Sequence, residues 1–427
     1  MTADDAWVYS GPQTLPVPAP CDFLPPARLE PLADVPSALA AALAMPLGAP
    51  PLRSLAGGAR DAVIVIPDLS RACPNGLVVP ALLDELNAAG VADERITVLV
   101  GCGLHRSTTP TEKRRLVGET AARRVLVLDS QGLESEFADL GTTPNGFPLR
   151  LHTAVASADI VVGVGILEPH LYAGFSGGLK SVGIGCAAEQ TIGWTHRPAF
   201  ISQAGVELCR LNGNPFQEAL RDLTATVNFA FAVNVVTDDH GRVAGLAAGD
   251  PAAVQQTLAD QFRPAWLQPV SEPYDVIIAG IKAPKHENLY QASRAATYVA
   301  FAARPALAPG GLMLLCADLP LGPGDGPGEI NFARLLAADA DDPSRLVERG
   351  LREPLGPGGQ RAFVVARVLR RFRVGVCGKA DADFLGSLGM PHYASLAEGL
   401  ADAATTLGRA PRVLAVADAL TTIVRRS

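Results

Sequence analysis

Hydrophobic residues along this chain occur mostly as short unbroken runs, separated by segments in which they recur every three or four positions. Three clear runs are DAVIVIP at residues 61–67, ITVLV at 96–100 and IVVGVGI at 160–166. Runs without polar alternation are typical of strands that are buried on both faces of a parallel sheet. The sequence therefore predicts an α/β fold with mostly parallel sheets, in which ligands bind beyond the carboxyl ends of the strands.

A proline-rich segment at residues 261–274 interrupts this alternation and predicts a domain boundary. We expect an N-terminal α/β domain, residues 1–268, that carries the cofactor-binding and catalytic motifs, after a proline-rich extended arm. A C-terminal α/β domain, residues 274–427, is expected to contribute substrate-binding residues, with the active site in the cleft between the domains. The predicted strands are residues 61–67, 96–100, 125–129, 160–166, 229–236, 275–280, 311–319, 373–378 and 413–417, and the predicted helices are residues 35–44, 77–89, 110–116, 289–303, 362–371 and 396–407.

The composition narrows the class of function. The 427 residues are 48% hydrophobic and 19% charged, which is typical of a globular protein with sizeable cores. The net charge is −7 without a basic block, so we expect no nucleic-acid partner, although a local positive pocket can still bind an anionic small molecule. The seven cysteines are scattered without a C-x-x-C pair, which argues against a disulfide framework and a structural zinc site. With neither a signal peptide nor a membrane-spanning run in the sequence, the cytoplasm is the expected location.

Polar residues follow the first two predicted strands. Asp68-Leu69-Ser70-Arg71 either forms a turn capped by its Asp or Ser, or aims Arg71 at a carboxylate or phosphate. His105 follows the second strand, just before a helix start that Thr109 and Glu112 predict as a capping box. His105 is either a structural hydrogen-bonding residue or an acid/base catalyst.

Residues 168–197 contain the densest set of candidate groups. His170, Lys180 and His196 surround the turn Gly174-Phe175-Ser176-Gly177-Gly178, which is either packed for steric reasons or holds a phosphate on Ser176 and its N–H groups. Lys180 is either a phosphate-binding charge or an amine nucleophile. His196 is a candidate metal ligand, but no Cys, His or Asp cluster surrounds it, so a cofactor would have to supply most of the other ligands.

In the second domain, Gln291 and Arg294 follow the predicted strand at residues 275–280. They are three positions apart and therefore share one face of a helix. They either grip a carboxylate together or belong to a solvated first turn.

Several of these motifs, taken in chain order, resemble the nickel-pincer lactate racemase family. The resemblance spans roughly residues 60–295, and its central motif is the most specific part, with ten positions from His170 to Lys180 and sixteen from Lys180 to His196. The matching motifs are Asp68-Leu69-Ser70-Arg71, Gly103-Leu104-His105-Arg106 with its Thr-Pro-x-Glu, His170-x-x-Ala-Gly-Phe-Ser-Gly-Gly-x-Lys180, His196, and Tyr290-Gln291-x-x-Arg294.

The resemblance implies a nickel-pincer cofactor of the pyridinium-3,5-dithiocarboxylic acid mononucleotide type, whose two sulfur-bearing arms hold nickel through S, C and S. By analogy with the family, Lys180 would be attached covalently to one arm and His196 would be the fourth nickel ligand. The remaining residues that we assign to cofactor binding are Asp68, Ser176, Gly177 and Gly178.

The same resemblance implies a racemase or epimerase that inverts C2 of a 2-hydroxy acid by reversible hydride transfer. His105 and His170 would be paired acid/bases on opposite faces of the substrate. Hydride removal avoids a carbanion at a weakly acidic carbon, and two bases on two faces allow inversion without net redox. Substrate binding is assigned to Arg71, Tyr290, Gln291 and Arg294, and the expected partners are proteins of cofactor synthesis and nickel insertion.

Two positions and one segment depart from the family pattern. Arg294 stands where members commonly have Lys, Leu179 replaces a common Arg, and residues 280–284 form an unusual strand exit, so the substrate need not be lactate. One alternative function is net oxidoreduction of a 2-hydroxy acid by the same cofactor or by NAD, although no G-x-G-x-x-G opens a helix after a strand. Another is a non-enzymatic protein that binds the nickel cofactor or an anionic metabolite, which the presence of both His105 and His170 disfavours.

Overall fold

A computed structural model describes residues 6–18, 20–131, 133 and 136–427. The strands of the described chain are β1 (Trp7–Gly11), β2 (Gln13–Pro16), β3 (Asp22–Leu24), β4 (Ala62–Pro67), β5 (Ile96–Gly101), β6 (Leu126–Asp129), β7 (Phe137–Thr142), β8 (Pro148–His152), β9 (Ile160–Ile166), β10 (Pro169–His170), β11 (Gly174–Phe175), β12 (Phe229–Thr237), β13 (Val243–Gly249), β14 (Leu267–Val270), β15 (Tyr274–Lys282), β16 (Leu307–Cys316), β17 (Arg373–Cys377), β18 (His392–Tyr393), β19 (Val413–Val416) and β20 (Ile423–Arg426).

The helices of the described chain are α1 (Val35–Ala44), α2 (Leu52–Leu55), α3 (Asn75–Ala88), α4 (Pro110–Val117), α5 (Glu119–Arg124), α6 (Thr153–Ser157), α7 (Lys180–Gly183), α8 (Glu189–His196), α9 (Pro198–Ile201), α10 (Pro215–Thr224), α11 (Pro251–Trp266), α12 (Leu289–Ala300), α13 (Pro327–Ala338), α14 (Pro343–Arg352), α15 (Gly359–Leu369), α16 (Ala382–Ser387) and α17 (Leu396–Leu407). Among the described residues, no helix is long and apolar enough to cross a membrane.

The chain divides into two compact units. The N-terminal unit comprises residues 28–196 and 203–263, and the C-terminal unit comprises residues 1–27, 197–202 and 264–427. The change at residues 263–264 lies near the predicted boundary, but the first 27 residues belong to the C-terminal unit rather than to an N-terminal domain of residues 1–268. The difference arises because β1 pairs with β15, and β3 pairs with β19, which are both far away along the chain.

The N-terminal unit is built on a sheet with the strand order β13-β12-β9-β4-β5-β6. The pairs from β12 to β6 are parallel, and only β13 runs antiparallel to its neighbour in this sheet. The predicted runs are buried as expected; Ile64, Val98 and Val162, for example, have no exposed surface. Burial of each such side chain contributes roughly 1.5–3 kcal/mol. Helices α1 and α3 complete this core, which fixes β4, β5 and β9 side by side.

The C-terminal unit has a second sheet, with the strand order β18-β17-β16-β15-β1-β2, in which β19 also pairs with β15 and with β3. All of its pairs are parallel except the β1–β2 hairpin. The residues that we expected to form an extended arm therefore supply three strands of this sheet. The predicted strands at residues 275–280, 311–319, 373–378 and 413–417 correspond to β15, β16, β17 and β19.

The predicted break at residues 261–274 is partly helical, because α11 continues to Trp266 with Pro264 in its last turn. Four apolar side chains spaced four positions apart are buried along one side of this helix. They are Val254, Leu258, Phe262 and Trp266, each at most 8% exposed. The chain changes unit at residues 263–264, within the last turn of this helix and before Trp266.

Candidate active site

Three adjacent parallel strands of the N-terminal unit end at one edge of its sheet. Strand β4 lies between β9 and β5, and all three run in the same direction. The residues that follow them are Asp68, His105 and Glu168, with His170 two positions further on. The sheet therefore brings together groups that are up to a hundred residues apart in the sequence.

Asp68 and His105 form a hydrogen-bonded pair. The Oδ2 atom of Asp68 lies 2.7 Å from Nδ1 of His105, and Ser70 donates its N–H and hydroxyl to Oδ1 at 3.2 and 2.6 Å. Burial raises the pKa of the Asp68 carboxyl, but the bonds from His105 and Ser70 outweigh it, so the pKa is lowered overall. An ionised carboxylate only accepts hydrogen bonds, so Nδ1 of His105 carries a proton and Nε2 is the basic nitrogen of the neutral ring. The imidazole itself is 66% exposed.

The loop that carries His105 is tied to the segment after Lys180. Ser130 donates to the carbonyl of Gly185 at 2.6 Å and accepts the N–H of Cys102 at 2.9 Å. The N–H of Gly103 also donates to the Gly185 carbonyl, at 3.0 Å. One carbonyl thus joins the β5 exit to the end of the Lys180 helix.

Arg71 is paired with Glu168, a residue to which the sequence motifs gave no role. The Nη1 atom of Arg71 donates to Oε2 of Glu168 at 2.8 Å, across the exits of β4 and β9. The backbone of Glu168 is itself fixed, because its N–H donates to the Ser176 hydroxyl and its carbonyl accepts the Ser176 N–H, both at 2.9 Å. Glu168 therefore holds the Arg71 guanidinium in a defined position.

His170 lies in a short hairpin and has the opposite ring polarity to His105. Its Nδ1 accepts the backbone N–H groups of Tyr172 and Ala173 at 3.3 and 3.1 Å. A nitrogen that accepts hydrogen bonds has no proton, so the neutral His170 ring carries its proton on Nε2. In their neutral forms, His105 presents a proton acceptor at Nε2 and His170 presents a donor.

Buried amides at the start of α10 support the turn after His170. The side chain of Asn214 donates to the Tyr172 carbonyl at 2.9 Å, and the side chain of Gln217 donates to the Ala173 carbonyl at 2.6 Å. Both side chains are at least 97% buried. They fix the carbonyls of the same two residues whose N–H groups set the ring of His170.

The glycine-rich turn is packed tightly against the protein. A Cβ atom on Gly174, which has φ +75°, would lie 1.9 Å from the Arg210 carbonyl oxygen, and one on Gly178 would lie 2.7 Å from the Gln255 side chain. The Ser176 hydroxyl donates to the Ile166 carbonyl at 2.7 Å and is directed at the backbone. The steric reason for these glycines is therefore established, while a role of Ser176, Gly177 and Gly178 in cofactor binding stays a prediction.

Lys180 and His196 lie within electrostatic range of each other. Burial lowers the pKa of His196 to about 4, a bond from its Nδ1–H to the Ile192 carbonyl at 2.9 Å opposes this, and the positive charge of Lys180 lowers it further. The imidazole is therefore neutral at pH 7 with its lone pair on Nε2, the form that binds metals. No group of three or more His, Cys, Asp or Glu side chains able to hold a metal occurs among the described residues. A metal bound to His196 would need ligands from a cofactor.

Two aromatic rings, those of Tyr172 and Phe216, connect His170 with His196. The centroid of the Tyr172 ring lies 5.9 Å from that of His170 and 5.7 Å from that of His196, with edge-to-face geometry in both pairs. Phe216 stacks on Tyr172 at 6.3 Å and meets His196 at 5.4 Å. The predicted acid/base and the predicted metal ligand therefore share one aromatic cluster.

The predicted substrate-binding residues of the C-terminal unit lie in the first turns of α12. Asn288 caps the helix by accepting the N–H of Gln291 at 2.9 Å. Tyr290, Gln291 and Arg294 follow, and the buried Oε1 of Gln291 has no hydrogen-bond partner among the described residues. An unsatisfied buried amide next to a predicted carboxylate site indicates a place for a ligand group.

The sequence of this chain is similar to those of known proteins. Residues 12–207 match the family described as "Lactate racemase N-terminal domain". The chain is 30% identical over 385 residues to the lactate racemase of Lactiplantibacillus plantarum, covering 89% of this chain and 88% of that protein. The chain belongs to the lactate racemase family.

A second relative of the family, the lactate racemase of Thermoanaerobacterium thermosaccharolyticum, is 28% identical over 390 residues, which cover 90% of this chain and 89% of that protein. The solved structure of the lactate racemase apoprotein from the same organism has a TM-score of 0.87 at 24% identity, covering 98% of this chain and 99% of that one. The predicted family, the α/β fold and the assignment as an isomerase of the racemase type are confirmed.

Residues that hold the lactate racemase motifs in place were missed in the sequence. Gln255 donates to the carbonyls of Ser176 and Gly177 from the middle of α11, at 3.0 and 3.2 Å, and nothing in its local sequence marks it. Asn234 accepts the N–H of Gly178 at 3.3 Å, and a polar residue inside the apolar strand FAFAVNVVT was a usable signal. Glu168 was visible as the first residue of the central segment.

The Gly174 contact predicts a large steric effect. Gly174→Ala should lower the free energy of unfolding by at least about 2 kcal/mol, because both the positive φ and the Arg210 carbonyl oppose a Cβ atom. Gly193→Ala is the matched control, since it lies in α8 with open space around it, and it should be neutral or stabilising by roughly 0.5–1 kcal/mol. Urea unfolding monitored by circular dichroism measures both; equal effects would contradict the steric argument.

The lowered pKa of His196 predicts loss of stability in acid. The pKa of His196 is 6.5 in the unfolded chain and about 4 in the folded one, so the unfolded chain takes up the proton first as the pH falls. The free energy of unfolding is therefore highest above pH 6.5 and decreases as the pH drops toward 4. We expect a loss of roughly 2–3 kcal/mol over this window in the wild-type apoprotein. His196→Asn, which keeps a donor for the Ile192 carbonyl, should remove that part of the pH dependence, whereas His240→Asn at an exposed turn should not. Denaturant titrations at several pH values test this, and a profile unchanged by His196→Asn would refute it.

The ring polarities can be measured directly. In ¹⁵N-histidine-labelled apoprotein at neutral pH, Nδ1 of His105 and Nε2 of His170 should have the chemical shifts of protonated ring nitrogens, and Nδ1 of His170 that of an unprotonated one. Asp68→Asn should abolish the preference in His105 and leave His170 unchanged. Protonation of His170 on Nδ1 in the wild type would show that the proposed polarity is wrong.

Proposed function

We propose that this protein racemises or epimerises C2 of a 2-hydroxy acid by reversible hydride removal, with His105 and His170 as the paired proton-transfer groups. The opposed ring polarities of these two histidines carry the proposal. A hydroxy acid that becomes a keto acid must give up its hydroxyl proton, and the resulting carbonyl is stabilised by a hydrogen-bond donor. His105 Nε2 suits the first task, and the Nε2–H of His170 suits the second.

The residues around Lys180 and His196 fit a nickel-pincer nucleotide cofactor. Lys180 would be the covalent tether, and the neutral His196 would be the protein ligand of nickel. The described residues contain no group of three or more His, Cys, Asp or Glu side chains that could hold a metal, which agrees with a metal whose remaining ligands come from the cofactor. When bound, the cofactor supplies a reversible hydride acceptor, which the side chains themselves do not provide.

How readily each histidine accepts or donates a proton then depends on the groups that contact its ring. Asp68 stabilises the imidazolium that forms when His105 takes the hydroxyl proton, as the buried carboxylate does for a triad histidine. At His170, two backbone N–H groups point at Nδ1. To serve as the base for the opposite enantiomer, His170 would have to give up these two hydrogen bonds. Transfer to His105 is therefore the easier of the two proton abstractions.

The proposed substrate-binding residues are Arg71 in the N-terminal unit and Tyr290, Gln291 and Arg294 in the C-terminal unit. The pairing of Arg71 with Glu168 keeps its guanidinium oriented while leaving other N–H groups of the planar fork for the substrate. Glu168 thus acts as a positioning residue. The proposed partners are the proteins that make the cofactor and insert nickel, and the proposed location is the cytoplasm.

The experiment uses protein produced together with the cofactor-synthesis proteins. Enantiopure 2-hydroxy acids carrying deuterium at C2 should be inverted with the label retained, because a hydride that leaves and returns does not exchange with solvent. Replacement of the label by solvent hydrogen during inversion would indicate proton abstraction and refute the hydride mechanism. His105→Ala and His170→Ala should each abolish inversion.

Intact-mass measurement tests the tether separately. The loaded protein should carry a covalent adduct that Lys180→Ala removes, together with about one nickel per chain. Lys379→Ala, at an exposed position, is the control and should retain the adduct. An adduct that persists in Lys180→Ala would place the tether elsewhere.

A further inference from the structure

Helix α15 places a second guanidinium beside the predicted substrate-binding residues of α12. The guanidinium carbon of Arg361 lies 5.7 Å from the centroid of the Tyr290 ring, and Tyr290 directly precedes Gln291. The Tyr290 ring also packs edge-to-face against the ring of Phe332, with 5.4 Å between the centroids. All four residues belong to the C-terminal unit, so this geometry is internal to one compact body.

Arg361 is partly buried, and two of its three guanidinium nitrogens lack the partners that buried donors normally have. Its Nε and Nη1 atoms are both buried and have no hydrogen-bond partner, and it is the only side chain in the described part of the chain with two such atoms. None of the carboxylates in the described ranges forms an ion pair with it, whereas Arg373 pairs with Asp402 and Arg409 with Asp275 in the same unit.

A buried guanidinium with unmet donors is costly, and contact with an aromatic face offsets only part of that cost. A neutral hydroxyl could accept a hydrogen bond from one of these N–H groups, but it would not balance the positive charge. A carboxylate meets both needs, since its two oxygens accept hydrogen bonds from a planar fork and its charge compensates the cation.

The number of cations indicates which carboxylate this is. Under the proposed function, Gln291 and Arg294 of this unit already bind the carboxylate at C1. A substrate with one carboxylate, such as lactate, leaves Arg361 uncompensated. The orphaned Oε1 of the neighbouring Gln291 marks the same region as incomplete without a ligand. An amide there can accept from a hydroxyl or, after rotation, donate to a carboxylate.

We propose that Arg361, stacked on Tyr290, binds a second carboxylate of the substrate, and that the protein therefore acts on a dicarboxylic 2-hydroxy acid of the malate type. This inference rests on the proposed function for the identity of the C1 site. Arg361 would be a specificity-determining residue, in contact with the far end of the substrate and without a part in proton transfer.

The test compares malate with lactate in three proteins: the wild type, Arg361→Met and the control Arg367→Met. Arg367 lies on the same helix and also stacks on aromatic rings, with its guanidinium carbon 4.7 Å from the Phe301 ring centroid, so its replacement controls for loss of a stacked arginine. Calorimetric titration of the full-length apoprotein measures binding of each acid, and chiral chromatography measures racemisation by the loaded enzyme.

In the wild type, malate should bind more tightly than lactate and should be the better substrate. Arg361→Met should weaken malate binding about 10- to 100-fold, the effect of losing a charge-assisted hydrogen-bonded pair, and leave lactate binding unchanged. Arg361→Lys should recover part of the malate affinity, because it keeps the charge but loses the fork. Arg367→Met should behave as the wild type for both acids.

Two results would overturn the inference. One is an equal loss for both acids in Arg361→Met, which would place Arg361 at C1, and the other is a wild type that prefers lactate. The outcome is distinguishable from failure of the proposed function. If Arg361→Met weakens malate binding but neither acid is racemised, the second carboxylate site is supported and the proposed reaction is refuted. If lactate is inverted and Arg361→Met leaves malate binding unchanged, the proposed reaction is supported and the second carboxylate site is refuted.

Discussion

Each histidine of the candidate site has one ring nitrogen bound to the protein, and that bond decides what the other nitrogen can do. A carboxylate at Nδ1 makes His105 a base that can hold a positive charge. Two backbone N–H groups at Nδ1 make His170 a donor, and a backbone carbonyl at Nδ1 leaves His196 with a lone pair for a metal. Three chemically identical side chains thus differ in hydrogen-bonding state because of the partner of a single ring nitrogen, and the proposed roles follow these states.

The partners of His170 and His196 are backbone groups, and buried side-chain amides outside the sequence motifs hold the backbone around His170 and the glycine-rich turn. Asn214 and Gln217 hold the two peptide groups that face His170, and Gln255 holds the glycine-rich turn from α11. Each of these amides is almost completely buried, and its hydrogen bonds are made where water cannot substitute for them. The rigidity of the site is therefore set by residues that would not contact a substrate.

The sequence predicted the parts of the molecule that depend on local pattern. Strands β4, β5 and β9 were found because their apolar runs are unbroken, and the capping box of Thr109 and Glu112 is confirmed, with both bonds formed. The position of β1 in the second sheet was missed because β15, the strand it pairs with there, lies more than 260 residues away along the chain. The polarity of His170 could not be predicted either, since it depends on a turn geometry that no residue type specifies.

The pairing of β1 with β15 makes the C-terminal unit discontinuous along the chain, whereas the N-terminal unit is interrupted only by residues 197–202. During synthesis, the first strand must therefore wait until the fifteenth has left the ribosome. The unit with Asp68, His105 and His170 can assemble in the meantime, because all of its residues have been made by position 263. The order of translation thus favours completion of the unit with Asp68, His105 and His170 before the unit with Gln291 and Arg294 has been synthesised.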